Sequence, residues 1–194
     1  CYKNELFHLI QCPMSSKQSF VFKAFDEKSF QSTAEVWTQE ALNGLAFPSE
    51  IEQLMAWAAR HLAPQEGASV AYGIFSPDSK VAVAICEIVV TRKSVRSKWI
   101  KMLRVRLRPE IDDALNSTSE ASSAGLRDAL EIFIQATLGT FKLGKVAQAN
   151  TIKIYGRTRQ QADFLRFLGV ELEKLPHNPM MVAMEGKFLV VQSA

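Results

Sequence analysis

A dense run of basic residues in the middle of the chain is the strongest chemical signal in this sequence. The run extends from residue 92 to residue 108 and contains no Asp or Glu. From Met102 onward, apolar and cationic residues alternate, which is the pattern of a β-strand with one buried face and one charged face. The basic residues are Arg92, Lys93, Arg96, Lys98, Lys101, Arg104, Arg106 and Arg108.

Three interpretations of this run are compatible with the sequence. The strand arginines could cover apolar surface with their stems and pair with acidic residues of the same chain. A polyanion site could instead combine Arg92, Lys93, Arg96, Lys98 and Lys101 with a neighbouring tryptophan as a stacking surface. The third interpretation is that Arg108, at the end of the strand, contacts the phosphates of a small cofactor.

Two further residues are candidates for proton transfer. Glu87 interrupts the apolar run from residue 81 to residue 90, and it is the candidate general base of the chain. The alternative interpretation is an ion pair with Arg104 or Arg106 on the adjacent strand. Tyr155 lies on the strand predicted for "NTIKIYGR" and is a candidate acid, although a strand tyrosine also serves in packing.

Composition favours one domain. The chain has 194 residues, of which 47% are apolar, and a net charge of +3, so it can bury a core but is not globally basic. We predict a single domain over residues 19–194 and an N-terminal extension over residues 1–18. The longest apolar run is too short to span a bilayer.

The cysteines and histidines show no spacing typical of a metal site. Cys1, Cys12 and Cys86 form neither a paired zinc motif nor an even disulfide set, which favours free thiols and a cytoplasmic location. The three histidines lie far apart in the sequence. We therefore expect no metal.

Hydrophobic periodicity predicts the element order β α α β β β α β α β β. The second helix is expected to start with a capping box formed by Ser49 and Glu52 and to end at Pro64. "NSTSEASSAG", residues 116–125, reads as an exposed loop before a long helix, and Gly169 is expected to close the last helix. A helix between the arginine strand and the "NTIKIYGR" strand implies a parallel crossover, so the sheet must be mixed.

This order and two short segments resemble the GNAT acyltransferase superfamily. "VRLRP", Val105 to Pro109, resembles the end of the fourth family strand, where an apolar-x-apolar-x-Pro pattern precedes the phosphate loop. "ADFLRFLGVEL", Ala162 to Leu172, resembles the helix that packs beside the cofactor. The resemblance implies an α/β (α+β) fold with a mixed central sheet of about seven strands and helices on both faces.

The resemblance also implies a function. It points to transfer of an acyl group from acetyl-CoA or another acyl-CoA to an amine on a small molecule or a protein. The acyl-CoA would bind where two neighbouring parallel strands separate. The implied cofactor-binding residues are Val105, Leu107, Arg108, Gly125, Leu126 and Arg127.

Two departures from the family pattern support an alternative function. In the pyrophosphate motif, only Gly125 matches, and Arg127 stands where the family has a small residue. The tyrosine on the family's cofactor helix falls on Leu165, which cannot donate a proton. The alternative is a catalytically inactive GNAT-fold binding or regulatory module that uses the basic run over residues 92–108, here called the basic ridge, on nucleic acid or an acidic partner. A homodimer is a further prediction.

Overall fold

The computed structural model of the protein describes residues 20–63, 67–91, 98–116, 121–174 and 180–193. Seven strands and five helices are formed within these ranges. In chain order they are β1 (Val21–Ala24), α1 (Glu27–Leu42), α2 (Pro48–Ala59), β2 (Ser69–Phe75), β3 (Ala82–Val90), β4 (Trp99–Leu107), α3 (Pro109–Asn116), α4 (Ala121–Val146), β5 (Thr151–Tyr155), α5 (Arg159–Glu173), β6 (Met180–Glu185) and β7 (Phe188–Ser193).

The strands form one sheet in the order β1-β2-β3-β4-β5-β7-β6. All neighbouring strands are antiparallel except β4 and β5, which are parallel. The crossover between those two strands contains α3 and α4. The predicted mixed sheet of seven strands is confirmed, and so is the hairpin of β2 and β3.

Helices cover both faces of the sheet, as predicted. On one face, Phe133 of α4 and Leu165 of α5 belong to a core cluster with Ile154 of β5. On the other face, Trp37 of α1 and Ile51 of α2 pack in a second cluster. The sheet therefore separates two cores, and each core buries the apolar stripe of two amphipathic helices.

Two polar side chains fix α1 to the start of β3. The Thr33 hydroxyl donates to the Ser29 carbonyl (2.7 Å) and accepts from the Ala82 amide (2.9 Å), and both ends of this chain of bonds are buried. The Trp37 indole N–H donates to the Ala82 carbonyl at 2.9 Å. Because both backbone groups of Ala82 have partners on the helix, α1 is held in one register on the sheet.

Three local predictions about helix ends are wrong. Pro48 is the first residue of α2 and Phe47 is its N-cap, without a side-chain cap, because proline at the first helical position already supplies the required φ. The predicted Ser49–Glu52 capping box is therefore not the start of this helix, which ends at Ala59. Gly169 lies inside α5 rather than at its end, and its small size allows contact with β7.

The predicted serine-rich loop over residues 116–125 is also wrong for the residues described. Helix α3 continues to Asn116, and α4 already begins at Ala121. Residues 117–120 lie outside the described ranges. Helix propensities are weak, and tertiary contacts override them in many proteins. The polar composition of this segment was therefore a poor guide to the helices that begin at Pro109 and Ala121.

Candidate functional site

The parallel pair of β4 and β5 separates after a short ladder. Their paired residues run from Trp99 opposite Thr151 to Met102 opposite Ile154. Strand β4 continues to Leu107, but β5 ends at Tyr155. We call this opening the fork. Within the described residues, β4 has no strand partner on its β5 side beyond Met102.

A β-bulge marks the point where the fork opens. On the β3 side, Ile88 pairs with Met102 and Glu87 pairs with Arg104, which leaves Leu103 as the extra residue. A bulge bends its strand and shifts the alternation of the side chains. It therefore turns β4 away from β5, and it places Leu103 and Arg104 on the same side of the sheet.

A cleft opens beside the fork on the face that α2 covers. Its volume is about 850 Å³. The cleft is lined by Glu50, Gln53, Leu54, Ala56, Trp57, Arg60, Leu103, Arg104, Arg106, Tyr155 and Arg157. Four of these residues are arginines and one is a glutamate, so the lining is cationic with an apolar contribution from α2 and β4.

Arg104 and Glu87 form the ion pair that the sequence suggested. Arg104 Nε lies 2.8 Å from Glu87 Oε2, although this buried nitrogen makes no aligned hydrogen bond. The other oxygen of Glu87 accepts from the Ser69 hydroxyl at 2.7 Å. The Arg104 guanidinium lies 5.0 Å from the centre of the Trp57 ring. With both of its oxygens engaged, Glu87 has a structural role, and its predicted role as a base stays a prediction.

The other two strand arginines also meet carboxylates. Arg106 Nη2 donates to Glu50 at 2.9 Å. Arg108 donates to Glu40 through Nε at 2.7 Å and through Nη2, and it lies 3.2 Å from Glu110. The hydrogen bonds to Glu40 raise the pKa of Arg108 above its ordinary value, although burial acts in the opposite direction. For these arginines the interpretation as ion pairs within the chain holds.

Tyr155 is the predicted site residue that the fold brings into the cleft. It is the last residue of β5, its ring lies 4.9 Å from that of Phe188, and it is half-buried. Its hydroxyl forms no hydrogen bond with any described residue. A phenol in this position can donate a proton to a group bound beside Leu103.

The predicted cofactor residues fall on two elements. Val105 and Leu107 lie on the part of β4 that borders the fork, and their side chains pack partly buried against the core under α4. Gly125, Leu126 and Arg127 lie within α4, which begins at Ala121. Gly125 is buried and Arg127 is exposed. By helix geometry the amide of Gly125 bonds back inside the helix, and the unpaired amides belong to the residues before it.

The basic ridge is described only in part. Lys98 and Lys101 are half-buried, and Lys101 Nζ lies 4.4 Å from the centre of the Trp99 ring. Arg92, Lys93 and Arg96 lie outside the described residues. The polyanion interpretation therefore stays a prediction.

Sequence reasoning missed three charged residues of the cleft. Arg60 follows α2, Glu50 lies in its first turn, and Arg157 follows β5. The position of Arg157 just after β5 could have identified it, because the carboxyl ends of neighbouring parallel strands meet at one edge of a sheet. The sequence gives no such signal for the α2 residues, because no local pattern indicates which helix covers the fork.

Two further observations concern metal ligands and membrane-spanning helices. In the ranges that the structure describes, the His, Cys, Asp and Glu side chains form no group of three or more able to hold a metal ion. No helix in those ranges is long and apolar enough to cross a membrane.

A seven-stranded sheet whose single parallel pair opens into a fork, with helices on both faces, is the architecture that the resemblance to the GNAT superfamily implied. The mixed α/β fold that the sequence predicted is therefore confirmed.

The chain matches no protein-family model and no curated protein sequence. Its similarities are to solved structures. The NatC complex bound to Gag peptide and CoA contains a chain with a TM-score of 0.43 and 8% identity, covering 91% of this chain and 99% of its own length. A GNAT family acetyltransferase from Brucella melitensis in complex with acetyl-CoA has a TM-score of 0.37 and 14% identity over 89% of this chain and 87% of its own.

An acetyltransferase of the GNAT family from Streptococcus pneumoniae has a TM-score of 0.32 and 14% identity, covering 89% of this chain and 96% of its own.

Proposed function

We propose that this protein is an acyl-CoA-dependent N-acyltransferase that transfers an acyl group to an amine acceptor. The observation that carries the proposal is the fork, where an unpaired edge of β4 meets a cleft that contains the Tyr155 ring. An unpaired strand edge offers backbone N–H and C=O groups to an extended ligand. The amide groups of a pantetheine arm have the matching donors and acceptors.

The residues of the fork fit an acyl-CoA. The edge from Val105 to Leu107 would hold the pantetheine through backbone hydrogen bonds. The first amides of an α-helix have no carbonyl partner within the helix, and together with the positive end of the helix dipole those of α4 suit a pyrophosphate. Exposed Arg127 would add a cation. Arg108 is not part of this proposal, because Glu40 and Glu110 already engage its guanidinium.

The cleft on the α2 side would receive the acceptor amine. An acyl-CoA supplies a thioester carbonyl that an amine attacks directly. As the C–N bond forms and the C–S bond breaks, the Tyr155 hydroxyl is the candidate acid for the departing thiolate, since it has no partner among the described residues. The proton that the amine nitrogen loses restores the Tyr155 hydroxyl, so that the products are the amide and free CoA thiol. The cationic lining lowers the pKa of a nearby ammonium group and so raises the fraction of neutral, nucleophilic amine.

Replacement of Tyr155 tests this function. Acyl transfer can be followed as release of free CoA thiol with a panel of amines. General acid catalysis contributes roughly 10²- to 10⁴-fold, so we expect Tyr155→Phe to lower kcat by about 10²-fold or more while the Kd for acetyl-CoA stays unchanged. Tyr72→Phe is the matched control, because Tyr72 is stacked on Phe22 and does not line the cleft.

Two results count against the proposal. If acetyl-CoA and longer acyl-CoAs do not bind the wild-type protein, the fork is not a cofactor site. If Tyr155→Phe and Tyr72→Phe retain the same kcat as the wild type, Tyr155 is not the acid.

The other predictions for this chain stay predictions. An inactive binding or regulatory module on the basic ridge would bind nucleic acid or an acidic partner without acyl transfer. A homodimer and a cytoplasmic location are likewise expectations from the sequence and its resemblance.

A further inference from the structure

The arginines of the cleft do not all have acidic partners. Arg104 is paired with Glu87 and Arg106 with Glu50. Arg60 and Arg157 also line the cleft, and neither has a carboxylate partner in the part of the chain that the structure describes. Glu50 is the acidic residue of the lining, so positive charge is in excess.

The two unpaired arginines come from different elements. Arg60 is the C-cap residue of α2, and its Nε donates to the Ala56 carbonyl at 3.1 Å. This bond fixes the stem and leaves the terminal nitrogens free for another acceptor. Arg157 follows the end of β5, where its backbone amide donates to the Gln161 side chain at 2.9 Å. Its backbone carbonyl accepts from Lys187 Nζ at 3.2 Å, so the backbone that bears this arginine is anchored on both sides.

The lining also contains apolar surface. Leu54, Trp57 and Leu103 contribute to it. The Trp57 ring is held by a stacked His61 ring at 5.0 Å and by the Arg104 guanidinium. A ligand in the cleft therefore meets an apolar wall with fixed aromatic geometry together with the guanidinium groups of Arg60 and Arg157.

We infer that the acceptor amine also carries a carboxylate, which binds Arg60 and Arg157 while the amine reaches the fork beside Leu103 and Tyr155. This inference rests on the proposed acyltransferase function and adds its substrate class. A guanidinium presents a planar fork of donors that matches a carboxylate, and it stays charged at every pH of interest. A free amino acid and a peptide with an acidic residue after its amino group share this chemistry.

Paired acceptors test the inference through rates. Glutamate is compared with glutamine amide, which carries no carboxylate, and a Gly-Glu peptide amide is compared with a Gly-Gln peptide amide. In each pair only the first member carries a carboxylate. A charge-assisted contact that is partly exposed corresponds to roughly a three- to tenfold change in kcat/KM, and we expect the acidic member of a pair to be preferred by at least that factor.

Substitutions locate the preference. Arg60→Gln and Arg157→Gln should each lower kcat/KM for the acidic acceptor by a larger factor than that for its amide counterpart. Arg159→Gln is the matched control, because Arg159 is 93% exposed on α5 and is not part of the cleft lining. A preference for the peptide pair alone identifies peptides as the source, and a preference for the amino acids alone identifies small molecules.

A binding measurement separates this inference from the proposed function. Glutarate and N-acetyl-Glu amide carry carboxylates but no amine, so neither can be acylated. We expect both probes to bind the wild-type protein, to bind Arg60→Gln and Arg157→Gln more weakly, and to bind Arg159→Gln as they bind the wild type. This result supports the anion site even when no transfer is detected. Failure of the proposed function then appears as absence of transfer with the anion site intact. Equal rates for both members of each pair, or probe binding that is absent or unaffected by both substitutions, overturns the inference.

Discussion

The ion pair of Arg108 and Glu40 is expected to stabilise the fold rather than to bind a ligand. Glu40 lies on α1 and its side chain is only 12% exposed, while that of Arg108 is 26% exposed. Two N–H groups of Arg108 point at the same carboxylate oxygen. The Glu110 amide adds a long contact of 3.4 Å to the second oxygen of Glu40. Removal of Glu40 would leave a largely covered guanidinium with Glu110 as its remaining carboxylate neighbour.

The size of the effect follows from this burial. Hydrogen bonds to charged groups contribute about 1.5 to 3 kcal/mol, and loss of one partner from a fully buried ion pair costs about 3 to 5 kcal/mol. Because Glu110 stays at 3.2 Å and water reaches Arg108, the lower range applies. We expect Glu40→Ala to lower the free energy of unfolding by about 2 kcal/mol.

Urea denaturation followed by circular dichroism measures this change. With a slope of about 2 kcal/mol per M, the midpoint should fall by about 1 M. Asp163→Ala is the control, because the Asp163 pairs with Arg166 and Arg159 are exposed and such pairs contribute about 0 to 1 kcal/mol. A midpoint for Glu40→Ala within the error of that control would refute the argument that Arg108 is engaged within the fold.

Three further predictions concern buried groups. Thr33→Val keeps the shape but leaves the buried Ala82 amide without its acceptor, so the free energy of unfolding should fall by about 1 to 3 kcal/mol in urea denaturation. Gly139→Ala should be destabilising, because a Cβ there would overlap the Phe22 ring and overpacking by about 1 to 3 kcal/mol outweighs the helix gain of about 1 kcal/mol. Phe22→Leu should restore part of the loss, and a Gly139→Ala protein as stable as the wild type would contradict this. Burial raises the pKa of the Cys86 thiol, so iodoacetamide at pH 8 should not modify it in the folded protein, as peptide mass mapping can check, and rapid native modification would show that the strand opens.

Strand patterns in the sequence were sufficient to predict the sheet. Alternation around Arg104 and Arg106 placed β4 correctly, and the polar interruption at Glu87 predicted its partner across the strand pair. These predictions succeed because side-chain alternation is a local consequence of strand geometry. The parallel crossover followed from the helix between β4 and β5 without any further information.

Helix ends and the region after β4 were predicted less well. Serines, an asparagine and a glycine favour loops as isolated residues, yet α3 and α4 together occupy most of that region. Packing of α4 on the sheet supplies more stabilisation than the weak propensities remove, since apolar side chains such as Ile132 and Phe133 are buried there. Propensity was therefore a poor guide at this position.

The candidate site was predictable only where it follows from strand order. Tyr155 and the edge from Val105 to Leu107 belong to the strands that form the fork, and the strand patterns of the sequence placed them there. Their roles as site residues stay predictions. Arg60 reaches the cleft because α2 packs across the sheet, and that contact depends on tertiary structure. The bulge at Leu103, which opens the fork, likewise depends on the pairing with β3 and has no local signature.

Hydrogen exchange measured with and without saturating acetyl-CoA tests the central claim most directly. A ligand that pairs with the free edge of β4 should slow exchange of the amides over residues 103–107 and in the first turn of α4. At about a hundred times its Kd, such a ligand stabilises the folded state by roughly 2.7 kcal/mol. The β1–β2 pair, which β3 separates from the fork in strand order, provides the internal reference. Selective slowing at the fork is the predicted result, and exchange at residues 103–107 that is unchanged by every acyl-CoA tested would contradict the account.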